Sequence, residues 1–210
     1  MTNMGIKLAI LSVWTPKNIL CSQLDNVYAL TISALKDLLR TYGVIDQVSN
    51  RDMAEESNST NLSRRRDAMT REHFILVRAL IDAVGEERAV KLGRETLFKV
   101  GERLGKEARQ KLGVGNDMGD LFKAAKILYR VLGINFRVEE IRDKDAVLIV
   151  DHCELAKNYS ELTCRVLSAT DEGVLKGLNP NVEMKFERHL TGGCDTCIAK
   201  ITLANRKTEV

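Results

Sequence analysis

Thiols and imidazoles crowd the last third of the chain. His152-Cys153, Cys164, His189 and the turn Gly192-Gly193-Cys194-Asp195-Thr196-Cys197 place four of the five cysteines and two of the three histidines within 46 residues. Thiolate and imidazole ligate soft and borderline metals and attack carbon near neutral pH, so this crowding points to a metal, redox or nucleophile site. Cys194-x-x-Cys197 is the tightest spacing, but one such pair is half of a tetrahedral site, and Cys153 and Cys164 must supply the rest. Cys153, Cys164, Cys194 and Cys197 are thus the candidate metal ligands, for zinc or alternatively an iron-sulfur cluster. Cys153 and Cys164 are the candidate catalytic thiols. Against both stands the plain reading that each is a small buried hydrophobe.

Geometry constrains a shared site. On one unbroken helix, residues eleven apart lie roughly 16 Å apart along the axis. Cys153 and Cys164 can meet only if the chain breaks between them. Asn158-Tyr159-Ser160 offers that break, with Ser160 able to cap a new helix from Glu161. Cys21 lies far from the others and reads as structural. His152 and Cys153 are neighbours on a strand and point to opposite faces. His73 is most simply a half-exposed helix residue.

The elements that must position these residues follow from periodicity. An amphipathic helix is expected over about Ser22 to Tyr42, with Gly43 as its stop. The segment from Gln47 to Asp67 loses its apolar residues, as a linker does. Helical patterning resumes from Thr70 and ends at Gly85. It continues over Glu87 to Leu112, where Gly101 and Gly105 would let another element approach closely, and over Met118 to Leu132, stopped by Gly133. Asn135 to Ile141 then alternates, Asp143-Lys144-Asp145 supplies a turn, and Ala146 to Val150 is a continuous apolar strand. A helix ending near Leu178 and a last hairpin, Val182 to Leu190 with Thr196 to Leu203, complete the chain. The order of helices, hairpin, helix, hairpin predicts an α+β fold, a layer of helices packed on a four-stranded antiparallel sheet. The expected organisation is a helical N-terminal extension over 1–48, a polar linker over 49–68, a ligand- or metal-binding domain over 69–204 and a frayed tail over 205–210. Ile6 to Trp14 reads as a buried strand, a helix start or a partner-binding segment.

The register of the last hairpin can be argued. Val182, Met184 and Phe186 must share a face with Ala199, Ile201 and Leu203, so 186 pairs with 199 and 184 with 201. Continued regularly, this puts Cys197 opposite an inward Arg188, leaves Cys194 at the loop tip and turns His189 away. Arg188 is then the candidate ligand-binding residue, because an inward guanidinium needs a carboxylate, from the protein or a ligand. Glu172 and Lys176, four apart, read as an intrahelical pair.

At 210 residues, 44% hydrophobic and 29% charged, the chain has the composition of a globular domain that needs no disulfides. The five cysteines lack framework spacing and no secretory pattern precedes them, so a reducing cytoplasm is expected. No apolar run reaches the length of a membrane span. A net charge of +3 is too weak a balance to imply nucleic acid, and Arg64-Arg65-Arg66 reads as a solvated stretch.

The run from His152-Cys153 to Cys164, then Gly177-Leu178-Asn179-Pro180, then Gly192-Gly193-Cys194-Asp195-Thr196-Cys197 and a final strand, resembles a superfamily. It joins the 4-vinyl reductase domain to the L-2-amino-thiazoline-4-carboxylic acid hydrolase-like family. The resemblance covers about 69–204, roughly two thirds of the chain, and leaves the N-terminal extension out. It implies helical layers on an antiparallel sheet, akin to transport-particle subunits and haem-nitric-oxide domains, with ligand or zinc held between helices and sheet. The recurrent family cysteines would fall on Cys153, Cys164 and Cys197, and a homodimer is implied. Cys194 departs from the family turn.

The leading reading is a small-molecule- or metal-binding sensor or binding module. A second is a hydrolase acting on carbon–nitrogen bonds, in which Cys153, Cys164 or a metal-bound water attacks a small cyclic amidine-type amino acid held by Arg188. The third is a structural dimerising subunit with inert cysteines.

Overall fold

The structure, a computed structural model, describes residues 3–44, 61–142 and 145–204. Most of the expected linker, the centre of the first hairpin turn and the tail from 205 lie outside the described residues.

The chain runs through α1 (Asn3–Val13), α2 (Lys17–Thr41), α3 (Leu62–Val84), α4 (Glu86–Leu112) and α5 (Met118–Leu132) before the first hairpin, β1 (Ile134–Arg142) and β2 (Asp145–Cys153). A 3-10 turn over Glu154–Lys157 leads to α6 (Glu161–Leu178), β3 (Val182–Arg188), a short turn over Leu190–Gly192 and β4 (Cys197–Leu203). The strands form one antiparallel sheet in the order β1-β2-β4-β3. The expected α+β architecture is therefore present. Leu148, Ile149 and Val150 are all buried, as a strand covered on both faces requires.

Local chemistry sets the helix ends. Asp117 accepts a hydrogen bond from the Asp120 N–H and Ser160 from the Thr163 N–H, each satisfying an orphan donor of a first turn. Gly113 and Gly133 close α4 and α5 in the left-handed conformation that glycine adopts without penalty. α3 begins at Leu62, earlier than the apolar pattern shows, because Asn61 caps it through the Ser63 N–H. Its first turns bury a cation in place of a hydrocarbon.

That cation is Arg66, which corrects the expectation of a solvated arginine run. Arg66 is 8% exposed, donates to the carbonyls of Arg130 (2.8 Å) and Val131 (2.9 Å) at the end of α5, and pairs with Glu154 at 2.8 Å. A guanidinium on the last carbonyls of a helix meets the negative end of its dipole, and Glu154 keeps the buried charge compensated. The contact ties α3 to the turn that carries Cys153.

α6 packs against β3 and α5 against β1, while α4 lies on α6 and α2 spans α3, α4 and α5. The α4–α6 seam is made by glycine. A Cβ at Gly101 would stand 2.0 Å from the Thr170 carbonyl oxygen, at Gly105 2.2 Å from that of Val174, at Gly173 2.1 Å from that of Phe98 and at Gly177 2.2 Å from that of Glu102. The two helices thus run in the same direction with backbone against backbone. Gly101 and Gly105 receive the close neighbour their spacing predicts. Ile6 to Trp14 is mostly α1: Leu8 is buried, while Ile6, Ile10, Val13 and Trp14 are exposed.

Candidate functional site

The break predicted between Cys153 and Cys164 exists. β2 ends at Cys153, the chain makes a 3-10 turn through Lys157, and Ser160 caps α6. As a result Cys153, Cys164 and Cys197 line one cavity, of about 70 Å³, between α6 and the sheet. Cys194 lies outside it, in the loop before β4, and His152 is exposed as the strand alternation requires.

The last hairpin follows the expected pairing up to Phe186 opposite Ala199 and then departs from it. A bulge at Glu187 puts Arg188 opposite Ile198. One extra residue inverts every side chain beyond it. The inward Arg188 is therefore corrected to an exposed one, and His189, expected to face away, lines the cavity. Its ring stacks on Phe186 at 5.5 Å and its Nε2 lies 3.4 Å from the Ser168 hydroxyl. Burial, then Arg94 and Arg165, lowers its pKa. Cys197 stays buried, its sulfur accepting the Leu190 N–H at 3.2 Å. The expected Glu172–Lys176 pair is not formed: Glu172 binds Arg94 at 2.7 Å and Lys176 lies 3.8 Å from Glu183.

The thiols are held neutral. Burial pushes Cys153 up to about 11, with the nearby backbone N–H groups opposing it. Burial pushes Cys164 up to about 12 against a smaller pull from the Thr191 hydroxyl, and it raises Cys197 as well. An apolar wall penalises the thiolate, the form that attacks or ligates. Among the described residues no three His, Cys, Asp or Glu side chains are placed to hold one ion. As arranged, these donors do not fit zinc, and an iron-sulfur cluster would lack a fourth cysteine in the cavity.

The polar lining is where the sequence reading fell short. His73 is a 2% exposed bridge, not a half-exposed helix residue: Nε2 lies 2.7 Å from the Thr31 hydroxyl and Nδ1 2.7 Å from the Tyr159 hydroxyl. Burial lowers its pKa to about 3, so the ring is neutral. Through Thr31 and Val27, α2 becomes part of the cavity wall. Asp171 lies on α6 seven residues after Cys164 and four after Leu167, on the face that lines the cavity. The visible signal was an acid in an apolar helical stripe. Desolvation raises its carboxyl to about 7, with a smaller push from Glu172. Its side chain is only partly covered, because its open surface faces the cavity it lines. Tyr129, 4% exposed, and Thr170, 8% exposed, stand beside it, and neither hydroxyl has a hydrogen-bond partner.

A second cavity, of about 60 Å³, lies on the far side of these residues. Val27, Tyr129, Leu132, Thr170 and Asp171 line both. Lys111 and Glu107 stand on the outer wall of the second one.

No curated protein matches the sequence. Among solved structures, the fold is similar to a trafficking protein particle complex subunit 3 from Naegleria fowleri covalently bound to palmitic acid, with a TM-score of 0.52 at 17% identity over 67% of this chain and 96% of that one. It is also similar to the phenol-responsive sensory domain of the transcription activator PoxR with phenol, with a TM-score of 0.52 at 14% identity over 64% of this chain and 74% of that one. At such identities the likeness concerns the fold. The sequence profile of L-2-amino-thiazoline-4-carboxylic acid hydrolase matches residues 64–200, from the start of α3 into β4 and across every element of the cavity except α2. With most of its length matched by that profile, the chain belongs to the L-2-amino-thiazoline-4-carboxylic acid hydrolase family.

Proposed function

We propose that the protein is a binding module for a small organic molecule, held between α6 and the sheet. The observation that carries this reading is an apolar cavity of about 70 Å³ whose walls come from α2, α3, α5, α6 and the sheet. Protein interiors are otherwise packed to crystal density, and an unfilled space lowers stability. A space kept open where these elements meet therefore reads as a ligand site. Its volume is less than half of the roughly 150 Å³ that admits benzene, so it suits a ligand of a few heavy atoms unless the walls move. The fold neighbours hold phenol in one case and palmitic acid in the other. Phenol already exceeds a cavity of this volume and palmitic acid exceeds it far more, so a ligand of either size would require the walls to move.

The family's hydrolase activity supplies a second reading, favoured by the two thiols on the wall. Cys153 or Cys164 would attack a substrate carbon, but burial holds both as thiols, so substrate binding would have to assist ionisation.

The test is saturable binding of 1-butanol, followed by protein NMR shifts of cavity residues, in the unmodified protein and in Cys164→Phe. The expected result is saturation in the first and loss in the second, whose added ring fills the space. Absence of saturation, or binding indifferent to the filled cavity, would overturn the reading.

A further inference from the structure

The wall between the two cavities is built against the grain of protein interiors. Buried polar groups are nearly always hydrogen-bonded, and each exception calls for a reason. Here two belong to residues of one wall. The Tyr129 hydroxyl and the Thr170 hydroxyl are buried without partners, and Asp171, on the same wall, has no hydrogen bond or ion pair within the described residues.

The charges around the first cavity have one sign. No lysine or arginine is among its described lining residues. Both histidines on it are held neutral, His73 by burial between Thr31 and Tyr159, and His189 by burial and its two arginine neighbours. Glu172 is paired with Arg94. Asp171 is thus an acid without a counter-charge on the first cavity; on the second, Lys111 is a lining residue but pairs with Glu107 at 3.4 Å.

We propose that Asp171, Tyr129 and Thr170 form a subsite for a protonated amine, and that the ligand is a small organic base with a short apolar body. The proposal rests on the cavity being a ligand site. A primary ammonium has three N–H donors, and the wall offers three acceptors, a carboxylate and two hydroxyl oxygens. Filling both hydroxyls and neutralising the carboxylate in one step removes every unpaired polar group from the wall. The apolar lining on either side then takes the hydrocarbon. In the first cavity a carboxylate ligand would meet an uncompensated acid and no cation, so that cavity selects against acyl anions.

Three probes of one length separate the alternatives: n-butylamine, 1-butanol and butyrate, each titrated into the full chain at about pH 8, where Asp171 is ionised. The expected result is that the amine binds about tenfold or more tightly than the alcohol, as a charge-assisted contact is stronger than a neutral one, and that butyrate does not saturate. Asp171→Asn is expected to erase the amine's advantage while 1-butanol keeps its affinity. Tyr129→Phe and Thr170→Val are expected to reduce that advantage by smaller factors, and they report independently should Asp171→Asn misfold. Equal binding of amine and alcohol, an advantage that survives Asp171→Asn, or preferred binding of butyrate would overturn the subsite and leave the cavity standing. No saturation by any of the three would overturn the cavity reading and the subsite with it.

Discussion

α6 has two faces built by opposite rules. On one, Gly173 and Gly177 press against the backbone of α4 while Gly101 and Gly105 receive the backbone of α6, leaving no room for even a methyl group. On the other, Cys164, Leu167 and Asp171 border an open cavity with unpartnered hydroxyls beside it. The first face brings backbone against backbone, and the second leaves a cavity unfilled. A tight seam fixes where α6 stands, so the open face can hold a costly arrangement without collapsing. Rigidity on one side is what lets the other stay unfilled.

The comparison breaks first at the seam. Gly173→Ala places a methyl 2.1 Å from the Phe98 carbonyl, an atom held in the backbone of α4. Overpacking that no side chain can relieve is expected to cost about 3 kcal/mol or more. Chemical denaturation measures it, and a loss under about 1 kcal/mol would show that the seam yields.

The open face should respond with the opposite sign. Folded, Asp171 keeps its proton up to about pH 7; its ordinary value is 3.8. The native state binds the extra proton between those values, so stability falls as pH rises through that window. Asp171→Asn removes that cost and is expected to stabilise the ligand-free protein at pH 8 by about 2 to 4 kcal/mol, an advantage that fades as pH approaches 4. A substitution that stabilises the fold and removes amine selectivity would mark Asp171 as a residue kept for binding.

His73 sharpens the same contrast. It stays neutral in the folded chain down to about pH 3 and takes a proton near 6.5 when unfolded. Its contribution to stability is full above 6.5 and is lost as pH falls toward 3. In the unmodified protein the Asp171 and His73 slopes oppose one another between about pH 4 and 6.5. With Asp171→Asn the opposing slope is gone, His73 and the smaller His189 contribution act in the same direction, and melting temperature should fall steadily on acidification. A flat profile would show that His73 is not held as a buried neutral imidazole.

The smallest effect concerns the thiols. With burial holding Cys153 and Cys164 near 11 and 12, iodoacetamide at neutral pH should modify them about a hundredfold or more slowly than a free thiol. Fast modification of either, read by mass spectrometry, would favour the nucleophile over the binding module.

Much of the fold was legible because its signals are local. Amphipathic stripes, glycine stops, the Ser160 cap and the apolar run in β2 each report on a few consecutive residues. They sufficed for the helix and strand order and for the gathering of Cys153, Cys164 and Cys197. The first turns of α3 are hidden in the sequence because Arg66 resembles solvent-facing charge, and only the C-terminal end of α5 and Glu154 make its burial tolerable. The role of Asp171 is hidden in the sequence for a related reason. An acid on a helix is ordinary until its neighbours are known to be cavity rather than water.

The amino-acid sequence alone determined the α+β order, the break before α6 and the α4 glycines that admit α6, since backbone sterics and hydrophobic period are written in neighbouring residues. The tertiary structure alone decided that a single bulge at Glu187 exchanges Arg188 for His189 at the cavity, that α2 completes its wall through Thr31, and that Asp171, Tyr129 and Thr170 meet there without partners. Those outcomes depend on desolvation and on which unpaired groups share a space, and both arise only when distant segments close around it.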